Sequence, residues 1–114
     1  LLADSSSHEN LGRVLHAMMY ARQAKEAGMD VEIIFDGGGV EWPAELADES
    51  HKLHETYSNL KEEDVIKGVC EFCSDAFDVT DELEQIGETF LDEDQGHPNI
   101  GKKIAREDIR VITI

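Results

Sequence analysis

The spacing of apolar positions along this chain switches repeatedly between short continuous runs and a helical period, the alternation produced by strands followed by helices. Leu1, Leu2 and Ala3 read as the end of a first strand, as though the chain started inside it. Ser6 and Glu9 form a capping box that opens a helix with Leu11, Val14, Leu15, Met18 and Ala21 on its apolar side. Gly28 is suited to close that helix in the left-handed conformation. Residues 31–35 predict a second strand, and Asp36, Gly37, Gly38 and Gly39 a loop freed from the usual φ restriction, more a plain turn than a cradle for an anion. Pro43 suits the first turn of a helix in which Trp42, Leu46, Leu53, Tyr57 and Leu60 recur. Val65, Ile66, Gly68 and Val69 then predict a third strand ending at Cys70.

Beyond the cysteines, Thr80 reads as a helix cap, with Asp81 and Glu82 favourably placed in the first turn, Leu83 and Ile86 on the apolar side and Gly87 as the stop. Thr89, Phe90 and Leu91 predict a short fourth strand, and residues 99–106 a last helix carrying Ile100 and Ile104. Residues 109–114 are apolar enough for a final strand of the buried kind. There is no internal repeat, linker or low-complexity tract. The order predicts one three-layer, doubly wound α/β domain over residues 1–114, with about five mostly parallel strands joined by right-handed crossovers.

Composition changes this picture chiefly through charge. Asp and Glu number 26 against 10 Lys and Arg, for a net charge of −16 and a pI near 4.4. The carboxylates are spread through amphipathic segments, so they read as solvated faces of a folded domain rather than as a disordered acidic tract. Such a balance resembles proteins of salt-in halophilic archaea. It disfavours nucleic acid, which needs a basic footprint; Lys102, Lys103, Arg106 and Arg110 read as counter-charges on an acidic surface. No run approaches the roughly 20 apolar residues of a membrane span, and no signal peptide is visible.

Both cysteines fall in one C-x-x-C, Cys70-Glu71-Phe72-Cys73, where a strand pattern ends. In parallel α/β sheets ligands and chemistry collect at the carboxyl ends of strands. A C-x-x-C in an α/β pattern points to a reducing, cytoplasmic setting and to thiol chemistry. A thiolate at the start of a helix gains from the free N–H groups there, which lowers its pKa and favours attack on a sulfane sulfur. Glu71, Asp75 and the overall charge act in the opposite sense. Cys73, one turn on, can serve as the resolving thiol. His8, near the end of the first strand, is the candidate base or hydrogen-bond donor facing Cys70, with a capping or solvated histidine the equal alternative. His51, His54 and His97 raise the question of zinc, but without a second C-x-x-C or a close H-x₃₋₅-H pair the spacing predicts no metal.

Other uses of the architecture fit poorly. The loop after the first strand, Asp4 to Asn10, has no glycine for a dinucleotide fingerprint. Aromatic residues to sandwich a flavin are not evident, and Cys70 stands where a receiver domain has its phosphoacceptor aspartate. No cofactor is expected.

The run from Ser7 to Arg13 with His16 and Ala17, the loop from Phe35 to Gly39 with Glu41 and Trp42, and the segment from Gly68 to Cys73 together resemble the DsrE-like family, across essentially the whole chain. The resemblance implies a doubly wound sheet of flavodoxin-like strand order, related to sulfur-relay subunits of dissimilatory sulfite reduction and tRNA thiolation. It implies that Cys70 matches a cysteine carrying sulfur as a persulfide, exchanged with donor and acceptor proteins or small sulfane-sulfur compounds. It further implies a homotrimer or homohexamer. Cys73 departs from the simplest relay pattern and leaves dithiol redox open. The competing class is a non-catalytic binding or assembly module in which the cysteines are structural.

Overall fold

The computed structural model describes residues 1–114. Its first helix, α1 (His8–Glu26), is capped by Ser7, whose hydroxyl accepts the Asn10 N–H at 3.1 Å. That is one residue later than the Ser6–Glu9 box predicts. Ser6 donates instead to Asp4, and such local side-chain bonds compete with capping. Glu9 pairs with Arg13 rather than reaching back. The helix buries Val14, Met18 and Ala21 and leaves Leu15 exposed. Gly28, at φ +89°, closes it as expected, with Gly28 N–H on the Lys25 carbonyl and Met29 N–H on that of Ala24, the paired bonds of a Schellman motif.

The sheet is parallel, in the order β1 (Ile33–Phe35), β2 (Ile66–Cys70), β3 (Phe90–Leu91). The central β2 sets Val69 against Phe35 on one side and Phe90 on the other. The α/β class is therefore as expected, while the strand number and order differ. Leu1 runs beside β1, its amino group donating to the Ile34 carbonyl at 2.7 Å and its carbonyl accepting from Asp36 N–H at 2.9 Å, but these two bonds do not extend into a ladder. Because β1 meets β2 directly, the first segment does not lie between them as a flavodoxin-like order requires.

Residues 109–114 also depart from expectation. They form no strand, and Val111 and Ile112 are exposed. One backbone bond, Leu2 N–H to the Ile114 carbonyl at 2.6 Å, joins them to the start of the chain, too little to template a ladder or to cover their apolar side chains.

The helix expected through Trp42 and Leu60 is two, α2 (Trp42–Leu46) and α3 (His54–Glu62). Between them Asp48 accepts both the N–H and the hydroxyl of Ser50, at 2.9 and 2.8 Å, a turn that takes backbone groups a helix would need. A 3₁₀ turn, Gly37–Glu41, leads from β1 into α2. Gly39 lies so close under the Leu1 carbonyl that a Cβ would overlap it, and the Trp42 indole donates to the Ala3 carbonyl at 2.8 Å. The glycine run is thus the surface over which residues 1–4 pass.

After β2 come α4 (Glu71–Ala76), α5 (Thr80–Gln85) and, beyond β3, α6 (Ile100–Ile104). Thr80 is the first residue of α5 and not its cap; its hydroxyl donates to Asp75 at 2.6 Å. Asn99 caps α6 through the Lys102 N–H. One buried cluster joins α1, β1, β2, α3 and α5 through Met18, Phe35, Val69, Tyr57 and Leu83, and it includes Cys70. No helix is long and apolar enough to cross a membrane.

Candidate thiol site

Cys70 is the last residue of β2 and the N-cap of α4, with extended backbone angles (φ −64°, ψ 121°) that turn the chain from strand into helix. The turn is held by Ser74, fully buried, whose hydroxyl donates to the Cys70 carbonyl at 2.6 Å. The Cys70 side chain is completely buried. Its sulfur accepts the Cys73 N–H at 3.4 Å, the helix-start contact foreseen from sequence. The balance between the opposing effects on its acidity, open from sequence, falls on the side of a raised pKa. Burial pushes the Cys70 thiol up to about 12; the Cys73 N–H opposes this, while the Cys73 side chain and the Asp36 charge reinforce it. Desolvation outweighs the helix-start N–H, so the resting group is a thiol.

Two loops close on the sulfur atoms. Asp36, directly after β1, accepts from the Cys73 thiol at 3.6 Å and from Gly37 N–H at 2.8 Å. Behind β3 the chain doubles back in a tight turn, Asp94 and His97 exchanging backbone bonds at 2.8 and 2.9 Å with Gln95 and Gly96 both at positive φ. This hairpin puts the Gly96 carbonyl 3.8 Å from the Cys70 sulfur and His97 Nδ1 at 3.3 Å. Phe72 N–H donates to the Gly96 carbonyl at 2.9 Å, and the Phe72 and His97 rings lie 4.6 Å apart, so α4 and the hairpin hold one another. Ligand atoms of Asp36, Cys70, Cys73 and His97 all fall within 4.8 Å of one another.

The two cysteines picked from sequence are therefore together. His8 is not with them: it is exposed at the start of α1, on a shallow hollow shared with Ser5, Ser7, Trp42 and His51. The histidine beside Cys70 is His97, which the sequence offers only as one of three histidines for zinc, and Asp36, read there as part of a glycine turn, lies against Cys73. Both follow the carboxyl ends of strands flanking β2, the signal that marked Cys70 and would have marked them. His51 and His54 lie apart from the thiols, His54 bridging to the Leu46 carbonyl at 2.8 Å. Spacing rules mark metal ligands close in sequence, whereas these four donors converge from the β2–α4 junction and two separate loops.

Chemically, a buried thiol touching an imidazole nitrogen has a local proton acceptor, and a second thiol one turn away can attack whatever the first one carries. Which nitrogen of His97 bears the proton decides whether the sulfur donates or accepts. A parallel α/β sheet with a dithiol and a histidine at the carboxyl edge of its central strand is the class that fold and site define. The sequence model of the DsrE/DsrF-like family matches residues 1–101. The uncharacterized protein MJ0733 of Methanocaldococcus jannaschii is 33% identical over 94 residues, covering 82% of this chain and 74% of that protein. No solved structure matches significantly. The chain belongs to the DsrE/DsrF-like family.

Proposed function

We propose that this protein is a cytoplasmic sulfur carrier in which Cys70 takes up sulfur as a persulfide and Cys73 resolves it. The observation that carries the reading is Cys70 at the end of the central strand with His97 Nδ1 at 3.3 Å and the Cys73 N–H on its sulfur. Family membership and the persulfide chemistry implied by the resemblance support it. His97 accepts the Cys70 proton as the sulfur attacks the sulfane sulfur of a donor persulfide. The donor S–S bond breaks, the donor leaves as a thiolate, and Cys70 becomes Cys–S–SH. An acceptor thiolate then takes the outer sulfur. Alternatively, Cys73 attacks the Cys70 sulfur, forming a Cys70–Cys73 disulfide and expelling hydrosulfide; a dithiol reductant restores the pair.

A second reading, a binding or assembly module with structural cysteines, is favoured by the complete burial of Cys70 and its raised pKa. Intact-mass analysis after incubation with a low-molecular-weight persulfide separates the two. The carrier reading expects an increment of one sulfur atom, absent in Cys70→Ser and longer-lived in Cys73→Ser. Equal labelling of wild type and Cys70→Ser, or thiols that alkylate only after unfolding, would establish the structural reading instead.

A further inference from the structure

We propose that Asp36, Cys70, Cys73 and His97 form a binding site for one Zn²⁺-class ion, through two thiolates, the His97 imidazole and one Asp36 carboxylate oxygen. The donor atoms lie within 4.8 Å of one another. Two edges of the set, 3.3 Å from Cys70 Sγ to His97 Nδ1 and 3.6 Å from Cys73 Sγ to Asp36 Oδ1, already match the roughly 3.3–3.8 Å between ligands of a tetrahedral zinc ion. The remaining pairs lie within the same 4.8 Å bound.

The kind of donor narrows the ion. Two sulfurs beside an imidazole disfavour Mg²⁺ and Ca²⁺ and suit Zn²⁺ or Cu⁺. The single carboxylate makes a mixed set better matched to Zn²⁺ than to Cu⁺, which prefers soft ligands alone. A supporting shell is present as well. The Cys73 N–H points at the Cys70 sulfur, Gly37 N–H holds Asp36, and the Asp94 backbone pair fixes His97, the kinds of outer contact that orient metal ligands.

Binding balances without redox change. Two S–H bonds break, two sulfur–metal bonds form and two protons pass to solvent, while the carboxylate and the neutral imidazole each contribute a lone pair. This goes beyond the sulfur-carrier reading, because it requires only reduced, sulfur-free protein. Metal and persulfide compete for the same Cys70 sulfur.

Cobalt substitution tests the site directly. The reduced, metal-free full chain is titrated anaerobically with Co²⁺ and followed by absorption. The expected result is one Co²⁺ per chain, with sulfur-to-cobalt charge-transfer bands and the d–d bands of tetrahedral coordination, all displaced by one equivalent of Zn²⁺. Cys73 and His97 are only half buried, so Cys73→Ser and His97→Gln should remain folded by circular dichroism. Cys73→Ser should lose about half the charge-transfer intensity, and His97→Gln should weaken affinity at least about tenfold, the loss seen even for outer-shell partners. An octahedral spectrum indifferent to both substitutions would place the ion on surface carboxylates and overturn the proposal, as would no uptake by the folded wild type. A persulfide experiment that fails while cobalt binds leaves the metal site standing and removes the carrier reading.

Discussion

Tyr57 gives its hydroxyl to Glu88, and Lys61 reaches the same carboxylate oxygen at 3.1 Å. Glu88 is 8% exposed, so this carboxylate is buried with the phenol and one ammonium group as its side-chain partners. Burial first, then the hydrogen bond and charge of Glu88, raise the Tyr57 pKa well above its ordinary value of 10. The folded state thus keeps a proton that the unfolded chain releases. The stability tied to that proton is fully present below about pH 10 and falls above it, by up to about 1.4 kcal/mol per pH unit for one group. Tyr57→Phe leaves a buried charge with one donor fewer and should cost about 1.5–3 kcal/mol at neutral pH. The deficit should shrink as pH passes 10, which urea unfolding between roughly pH 8 and 11 measures. A pH-independent difference would show that the phenolic proton is not the linked group.

At the scale of elements, what was legible followed from local chemistry. The strand ending at Cys70, observed from Ile66, and Gly28 as a helix stop were both decided by residues within a few positions of one another. Competition between neighbours misplaced the rest: Ser7 won the cap from Ser6, and Asp48 with Ser50 cut one expected helix into two. Apolar content alone misread residues 109–114, since a strand needs a partner edge and only Leu2 is bonded there. The strand order was hidden because periodicity names strands without naming their neighbours. The same limit hid half of the site. Cys70 and Cys73 come as one motif, but His97 arrives through a hairpin closed by Asp94, and Asp36 through a strand whose pairing with β2 no spacing encodes.

For the whole molecule the unbalanced charge is the dominant physical fact. Glu9, Glu26, Glu32, Glu63, Glu88 and Asp108 are the carboxylates with cationic partners, out of 26 acidic side chains. Lys103 and Arg106 act as the expected counter-charges, on Glu32 and Asp108. The remaining self-repulsion weakens as the Debye length falls from about 10 Å at 0.1 M salt to about 3 Å at 1 M. The melting temperature should therefore climb steeply with potassium chloride, and an unchanged value across that range would count against adaptation to high salt. Screening also bears on assembly, because like-charged copies approach one another only when their fields are short. Phe72 is 56% exposed and stacks on His97, so apolar surface lies open beside the thiol site. Phe77 and Ile104 add further exposed apolar area, on a small domain that buries a smaller share of its surface than a larger one would. We propose that copies of the chain associate with the Cys70 site near a subunit boundary, as a trimer or hexamer, the stoichiometry implied by the family resemblance. Light scattering in molar potassium chloride should return that mass, and association should add to the melting temperature in a concentration-dependent way. A monomer at all salt concentrations with fully reactive thiols would show that the site is complete within one chain.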